Sequence, residues 1–390
     1  MMCRSSSLFA CVIASAAVSM ANADYRIVLR GNAEPVTAVG FSASLRGVEA
    51  RPSGTLVPWD MVRAIEDLNG VPTSEATALD FLSAGEDLWR ARIRIDRGDE
   101  LLAQSMLAKH WDRFRLADGP STSLVAEGML RCALATGDIR AAVEPWLVCL
   151  RLGSAGDPSR FPQLAPVIDD TTGLLPALSP FVPASSRADL AAACDTLASA
   201  AGAPTSLPAE VAARIARMVR ATDGAALASA TAAADNAAPA VRALALLEVI
   251  LAAPDERACA RAVTQFEQTF QDAPAFLTAW KLAARGAQSA RMARTAKGNS
   301  TPAQLNAQLE AAALAMLAVP ASGFDHAGLV ELYALEEAHA LLRESGDAVS
   351  AQQVATLRDE VKRELELKNT TSATKPANAK SAGAGTARTN

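Results

Sequence analysis

The chain has 390 residues, 50% of them hydrophobic and only 4% aromatic, with a formal net charge of −5. That length and apolar content allow a sizeable core and more than one folded unit. The acidic balance speaks against nucleic acid as a partner, because phosphate binding rests on a basic surface.

In chain order the first element is a leader. Arg4 is the only charge before an apolar run from Leu8 to Val18, and Ala21-Asn22-Ala23 forms a small-x-small site ahead of polar Asp24. A basic end, an apolar stretch too short to span a bilayer and a small-residue site predict a secretory signal peptide over 1–23. Export then sends the mature chain to the periplasm or outside the cell. Its loss removes Cys3 and Cys11 and leaves Cys132, Cys149, Cys194 and Cys259, at spacings that match no zinc pattern and in apolar, helix-like surroundings. Those four read as buried small hydrophobes, although an exported chain permits a disulfide.

Residues 24–66 read as a small β-rich module. Partial alternation in Tyr25-Ile27-Leu29 and Val36-Val39-Phe41, with Gly31, Gly40, Gly47 and Gly54 as turns, predicts three or four short strands ending in a helical turn. Trp59, after Pro58, is expected to cover the small sheet. So few strands are not stable alone and must lean on the next domain.

From about Glu75 onward the spacing is helical and rich in Ala and Leu. Arg97-Gly98-Asp99 has the letters of an adhesion signal, but the stretch recurs. Gly98/Asp99/Ala103, Gly137/Asp138/Ala142 and Gly346/Asp347/Ala351 share Gly-Asp-x-x-x-Ala between amphipathic stretches. Gly supplies a left-handed residue to end one helix, Asp can cap the next, and the small Ala lets the pair approach. The tripeptide therefore reads as the turn of a helical hairpin. Ala262, Phe266, Pro274 and Trp280 add a second recurring pattern. These residues resemble the tetratricopeptide repeat in a degenerate form, over about 80–154 and 255–365. The spacing from Gly98 to Gly137 is longer than the family's usual ~34 residues, and many expected first-helix positions are missing. The resemblance implies an α-solenoid of hairpins with a partner-holding concave face.

The expected order is thus a mainly α chain: hairpin repeats over 75–153, a Pro-rich loop over 154–186, a helical repeat region over 187–368 and a low-complexity tail over 369–390. The loop contains Pro158, Pro162, Pro166, Pro176, Pro180 and Pro183, which forbid a helix, yet it is too apolar for a disordered linker. It must pack, either as an intramolecular strap or against a partner.

The inventory for chemistry is thin. Only His110, His326 and His339 are present, and no HExxH, G-x-S-x-G, P-loop or dinucleotide fingerprint occurs. No catalytic, cofactor-binding or metal-ligating set emerges. Asp169-Asp170 reads as a turn, and His339 is expected to pair with Glu336 one helical turn away. Arg90, Arg94 and Arg97, at i, i+4 and i+7, form a basic ridge that can hold a partner's acidic segment or pair with Glu86, Asp87 and Asp99. The expected function is that of an exported, non-catalytic scaffold for protein partners in the cell envelope. An envelope hydrolase or polysaccharide-acting enzyme with unrecognised carboxylates stays open as the other class.

Overall fold

The computed structural model describes residues 24–154, 156, 159–200, 206–222, 236–323 and 328–374. The expected signal peptide, His326 and residues 375–390 of the expected tail lie outside them. The chain divides into two compact units, Met1–Glu86 and Asp87–Asn390.

The first unit holds β1 (Tyr25–Leu29), β2 (Val36–Ala38), β3 (Gly40–Ser44), β4 (Gly47–Arg51), β5 (Thr55–Val57) and β6 (Val62–Asp67). They form two antiparallel three-stranded sheets in the orders β2-β1-β6 and β3-β4-β5. The Val39 N–H, donated to the Arg51 carbonyl at 2.9 Å, ties one sheet to the other. Period-two burial is clearest in β4, where Val48 and Ala50 turn inward and Glu49 and Arg51 outward. A 3-10 turn at Trp59–Met61 separates β5 from β6. The module is therefore β-rich as expected, but with six strands: the turn expected at Pro58-Trp59 is this 3-10 turn, and a further strand, β6, follows it. Its pairing explains the difference: Arg26 lies opposite Glu66 and Ile27 opposite Ile65, with an Arg26–Glu66 ion pair at 2.8 Å. Trp59 is fully buried, donates from Nε1 to the Ser44 carbonyl at 2.6 Å and stacks on Phe81 at 4.9 Å.

Phe81 belongs to α1 (Ala76–Asp96), the helix in which the division between the units falls. The second unit continues with α2 (Glu100–Phe114), α3 (Pro120–Thr136) and α4 (Ile139–Ser154). After the loop come α5 (Ala184–Ala200), α6 (Leu207–Thr222), α7 (Pro239–Ala252), α8 (Glu256–Thr269) and α9 (Ala275–Thr295). The last three are α10 (Pro302–Ala321), α11 (Gly328–Ser345) and α12 (Ala348–Thr374), so α12 runs beyond the expected boundary at 368. The described chain is mainly helical, with its strands confined to the first unit.

The three Gly-Asp turns share one backbone solution. Gly98, Gly137 and Gly346 have φ of 75°, 68° and 87°. In each, the Asp N–H reaches the carbonyl five residues back (Arg94, Ala133, Leu342) and the Gly N–H the one three residues back (Ile95, Leu134, Arg343), at 2.9–3.2 Å. This is the Schellman arrangement, and only glycine enters its left-handed residue without strain. Ala103, Ala142 and Ala351 are buried where the helices meet. Asp138 and Asp347 cap the following helix, accepting from the Ala141 and Ser350 N–H groups. Asp99 does not; its carboxylate lies 3.6 Å from Arg94 instead. In the second pattern Ala262, Phe266 and Trp280 are buried and Pro274 is the N-cap of α9.

From Ser159 on, the Pro-rich segment is an ordered strap; Pro158 lies outside the described residues. Leu174, Leu175, Leu178, Phe181 and Val182 are at most 1% exposed and join a continuous core with residues of every helix from α3 to α12. Each such side chain contributes roughly 1.5–3 kcal/mol of gross transfer free energy, which holds in place a backbone that cannot form a helix. Trp146 of α4 donates to the Gly173 carbonyl at 3.0 Å, and Phe181 packs on Tyr333 of α11 at 5.7 Å. From α2 on, sequential helices pack on one another, and α12 also returns to contact α3.

Candidate functional site

Beneath the strap lies a cavity of about 470 Å³. Its walls are one face of α3 (Ser123, Glu127), the last turn of α4 (Cys149, Leu150, Leu152), the strap over Pro166–Gly173, and the first residues of α6 and α7. The volume falls within the range of small organic ligands.

Two groups fix its shape. Glu127, buried, accepts from Arg131 at 2.9 Å, from Ser159 Oγ at 2.8 Å and from the Arg160 N–H at 3.1 Å. Arg131 in turn donates to the Ala165 carbonyl at 3.1 Å and lies over the Phe161 ring. This ion pair fastens the strap and leaves Glu127 compensated. At the other end Asp169 accepts the Thr171 hydroxyl and both the N–H and hydroxyl of Thr172, at 2.6–2.8 Å. Asp169 is thus a turn former, as its sequence setting indicated, while its neighbour Asp170 is exposed on the same wall.

Ser123 is 6% exposed and its Oγ makes no hydrogen bond. α7 begins at Pro239 with Ala238 as its N-cap, which has no side chain to accept from the first turn, and Ala240 and Val241 are buried there. Cys149 is half-buried at the edge of the cavity, and burial, reinforced by Glu127, pushes its thiol far above the ordinary range. Cys132 and Cys194, both buried, are pushed up to about 12, chiefly by desolvation. Cys259 is raised for the same first cause. All four are free thiols of low reactivity.

The ridge lies on α1, apart from this cavity. Arg90 and Arg97 are exposed and Arg94 is half-buried beside Asp99, while Leu88, Ala91 and Ile95 form the buried face of the helix. Arg92 pairs with Asp96 at 3.9 Å. Of the histidines, His110 is buried with Nε2 3.0 Å from Asp87 and its ring edge-on to Phe114. Burial opposes ionisation of Asp87, but hydrogen bonds from Lys109 and His110 outweigh it and hold the carboxyl low. The expected Glu336–His339 pairing gives way to another: Glu336 accepts the Ala184 N–H at 3.1 Å, and His339 faces Arg343 and Arg358. Among the described residues no three His, Cys, Asp or Glu side chains cluster as metal ligands, and no helix is long and apolar enough to cross a membrane.

Sequence reasoning named Asp169-Asp170 but missed Ser123 and the start of α7. One signal was readable: "NAAPAV" places Ala238 where a Ser, Thr, Asp or Asn cap is preferred. Compared with protein-family models, with curated proteins and with solved structures, the chain matches none.

Proposed function

We propose that this chain is an exported, non-catalytic scaffold of the cell envelope that holds a protein partner on a tetratricopeptide-like array of helical hairpins. The observation that carries this reading is the common backbone of the three Gly-Asp turns, each burying its alanine between neighbouring helices. Hairpins joined this way stack side by side and leave helix faces to solvent. On one such face Arg90, Arg94 and Arg97 recur at i, i+4 and i+7, matched to an acidic segment of a partner. The step from fold to function is by analogy of architecture.

The test is affinity capture from the native envelope extract with mature residues 24–390, beside an Arg90→Glu/Arg94→Glu/Arg97→Glu variant. One stoichiometric protein retained by the first and lost by the second, with unchanged helical circular dichroism, supports the scaffold and places the contact on the ridge. Retention by neither form sinks it, and screening for activity on envelope polymers then takes its place.

A further inference from the structure

The two legs of the strap are held by different means. In the leg from Leu174 to Val182, the five apolar side chains already named sit in the shared core. In the leg from Ser159 to Ile168 only Phe161 is buried, while Val167 and Ile168 reach the core's edge half-buried. What fastens this leg is polar and comes from one turn of α3. Glu127 accepts from Ser159 Oγ and the Arg160 N–H, and Arg131 donates to the Ala165 carbonyl while covering the Phe161 ring at 5.4 Å. A further bond, from Gln163 to Asp96 of α1, is exposed. Between the legs lies a closed turn. The Asp169 N–H donates to the Leu174 carbonyl at 2.9 Å, Gly173 has a φ of 72°, and Trp146 pins the Gly173 carbonyl to α4. The first leg supplies Ser159, Pro166, Val167 and Ile168 to the cavity wall, and Cys149 of α4 lines the same cavity.

A segment that buries few apolar side chains and hangs on few bonds opens locally, at a lower free energy than the core it covers. We propose that Ser159–Ile168 is a lid over the cavity, latched by Glu127 and Arg131 and turning on Asp169–Gly173, which opens while Leu174–Val182 stays in the core. Opening admits solvent to the cavity and to Cys149. The device goes beyond the scaffold reading and does not rest on it, since the ridge on α1 takes no part.

Cys149 is the built-in reporter. Burial, then Glu127, hold its thiol above the ordinary range, and Arg131 acts in the opposite direction. Loss of the Arg131 charge alone would therefore slow alkylation of Cys149, whereas loss of the latch speeds it. The experiment is alkylation of the mature chain by iodoacetamide, resolved by residue in a mass spectrometer, with Cys132, Cys194 and Cys259 as internal controls. Arg131→Gln is expected to speed Cys149 by about tenfold or more, as loss of a hydrogen bond from a charged group does, and to leave the other three unchanged. Ser159→Ala, which keeps both charges, should give a smaller rise in the same direction. Slower or unchanged labelling of Cys149 in Arg131→Gln overturns the proposal. So does acceleration of all four thiols together, because the leg then opens only with the whole unit. Hydrogen exchange of the unaltered chain tests the lid without any variant. The Arg160, Phe161 and Leu164 amides should open with little denaturant dependence, and those of Leu178 and Phe181 with that of global unfolding. A shared dependence refutes the lid. Charge reversal at the ridge leaves Cys149 labelling unchanged, so failure of the scaffold reading and failure of this one are told apart.

Discussion

Glu248, 1% exposed on α7, shares its carboxylate between Arg214 at 2.5 Å and Arg217 at 2.9 Å on α6, and Arg214 also holds Glu210 at 3.0 Å. Burial pushes the Glu248 carboxyl up, and the guanidiniums of Arg217 and Arg214 pull the other way. Removing Glu248 leaves buried Arg214 with only the half-exposed Glu210 to compensate it, so Glu248→Ala should cost up to about 3–5 kcal/mol, read as a shift in the urea midpoint. Replacing Glu248 and Arg214 together by Leu and Met should restore much of that loss, because the desolvation of both ions is then avoided. His339 gives the residue-scale pH test. Burial, then Arg358 and Arg343, hold its pKa below the ordinary 6.5, with Asp359 acting in the opposite direction. The folded chain therefore takes up this proton less readily than the unfolded one. His339's share of stability is intact above about 6.5 and is lost as pH falls from there through the lower folded value. NMR titration should place His339 below 6.5, and Arg358→Gln should move it back up; an unshifted titration in the variant refutes the cause. None of this was legible in the sequence, which offered Glu336 as the neighbour of His339 and could not show Ala184 arriving to take it.

At the scale of elements, the hairpin turns show what a local pattern does and does not determine. Glycine's left-handed residue and the Schellman bonds follow from Gly-Asp wherever it recurs, because both are backbone properties of a few adjacent residues. The role of the aspartate depends on its neighbours, and Arg94 draws Asp99 away from the α2 start. Asp138→Ala should therefore cost about 1 kcal/mol through a lost cap, and Asp99→Ala clearly less. Equal losses in thermal unfolding would contradict that division. The strap gives a larger contrast. Its prolines and apolar residues made packing legible, but its place in the helical core was not, because contacts with α4 and α11 leave no trace in local spacing. Leu174→Ala, at a fully buried position, should lose about 2–5 kcal/mol, the usual cost of truncating a core leucine. The strand β6, after the turn at Trp59–Met61, was not legible for a similar reason. Val62, Ile65 and Leu68 suit a helical turn as well as a strand, and only the partner β1 decides between them.

Across the whole helical unit, the feature that matters most is the return of α12 to α3. In an open array each hairpin touches only its neighbours, stability is a sum of neighbouring terms, and the ends fray first. Here a single core runs from Leu130 to Val354 and takes in the strap, which meets α4 through Trp146 and α11 through Phe181. Arg187 of α5 reinforces the link, reaching Glu337 of α11 at 2.9 Å with its guanidinium over the Tyr333 ring. Elements far apart in sequence thus share buried surface, and losing one exposes the others. The unit should therefore open as one cooperative body, with the buried amides of α3, α4, α7 and α11 showing the same opening free energy and denaturant dependence in native-state hydrogen exchange. Tyr333→Ala should lower the protection of α4 amides as much as that of α11 amides. Exchange that weakens α11 alone would mean that the strap transmits nothing, and that the array behaves as a row of independent hairpins.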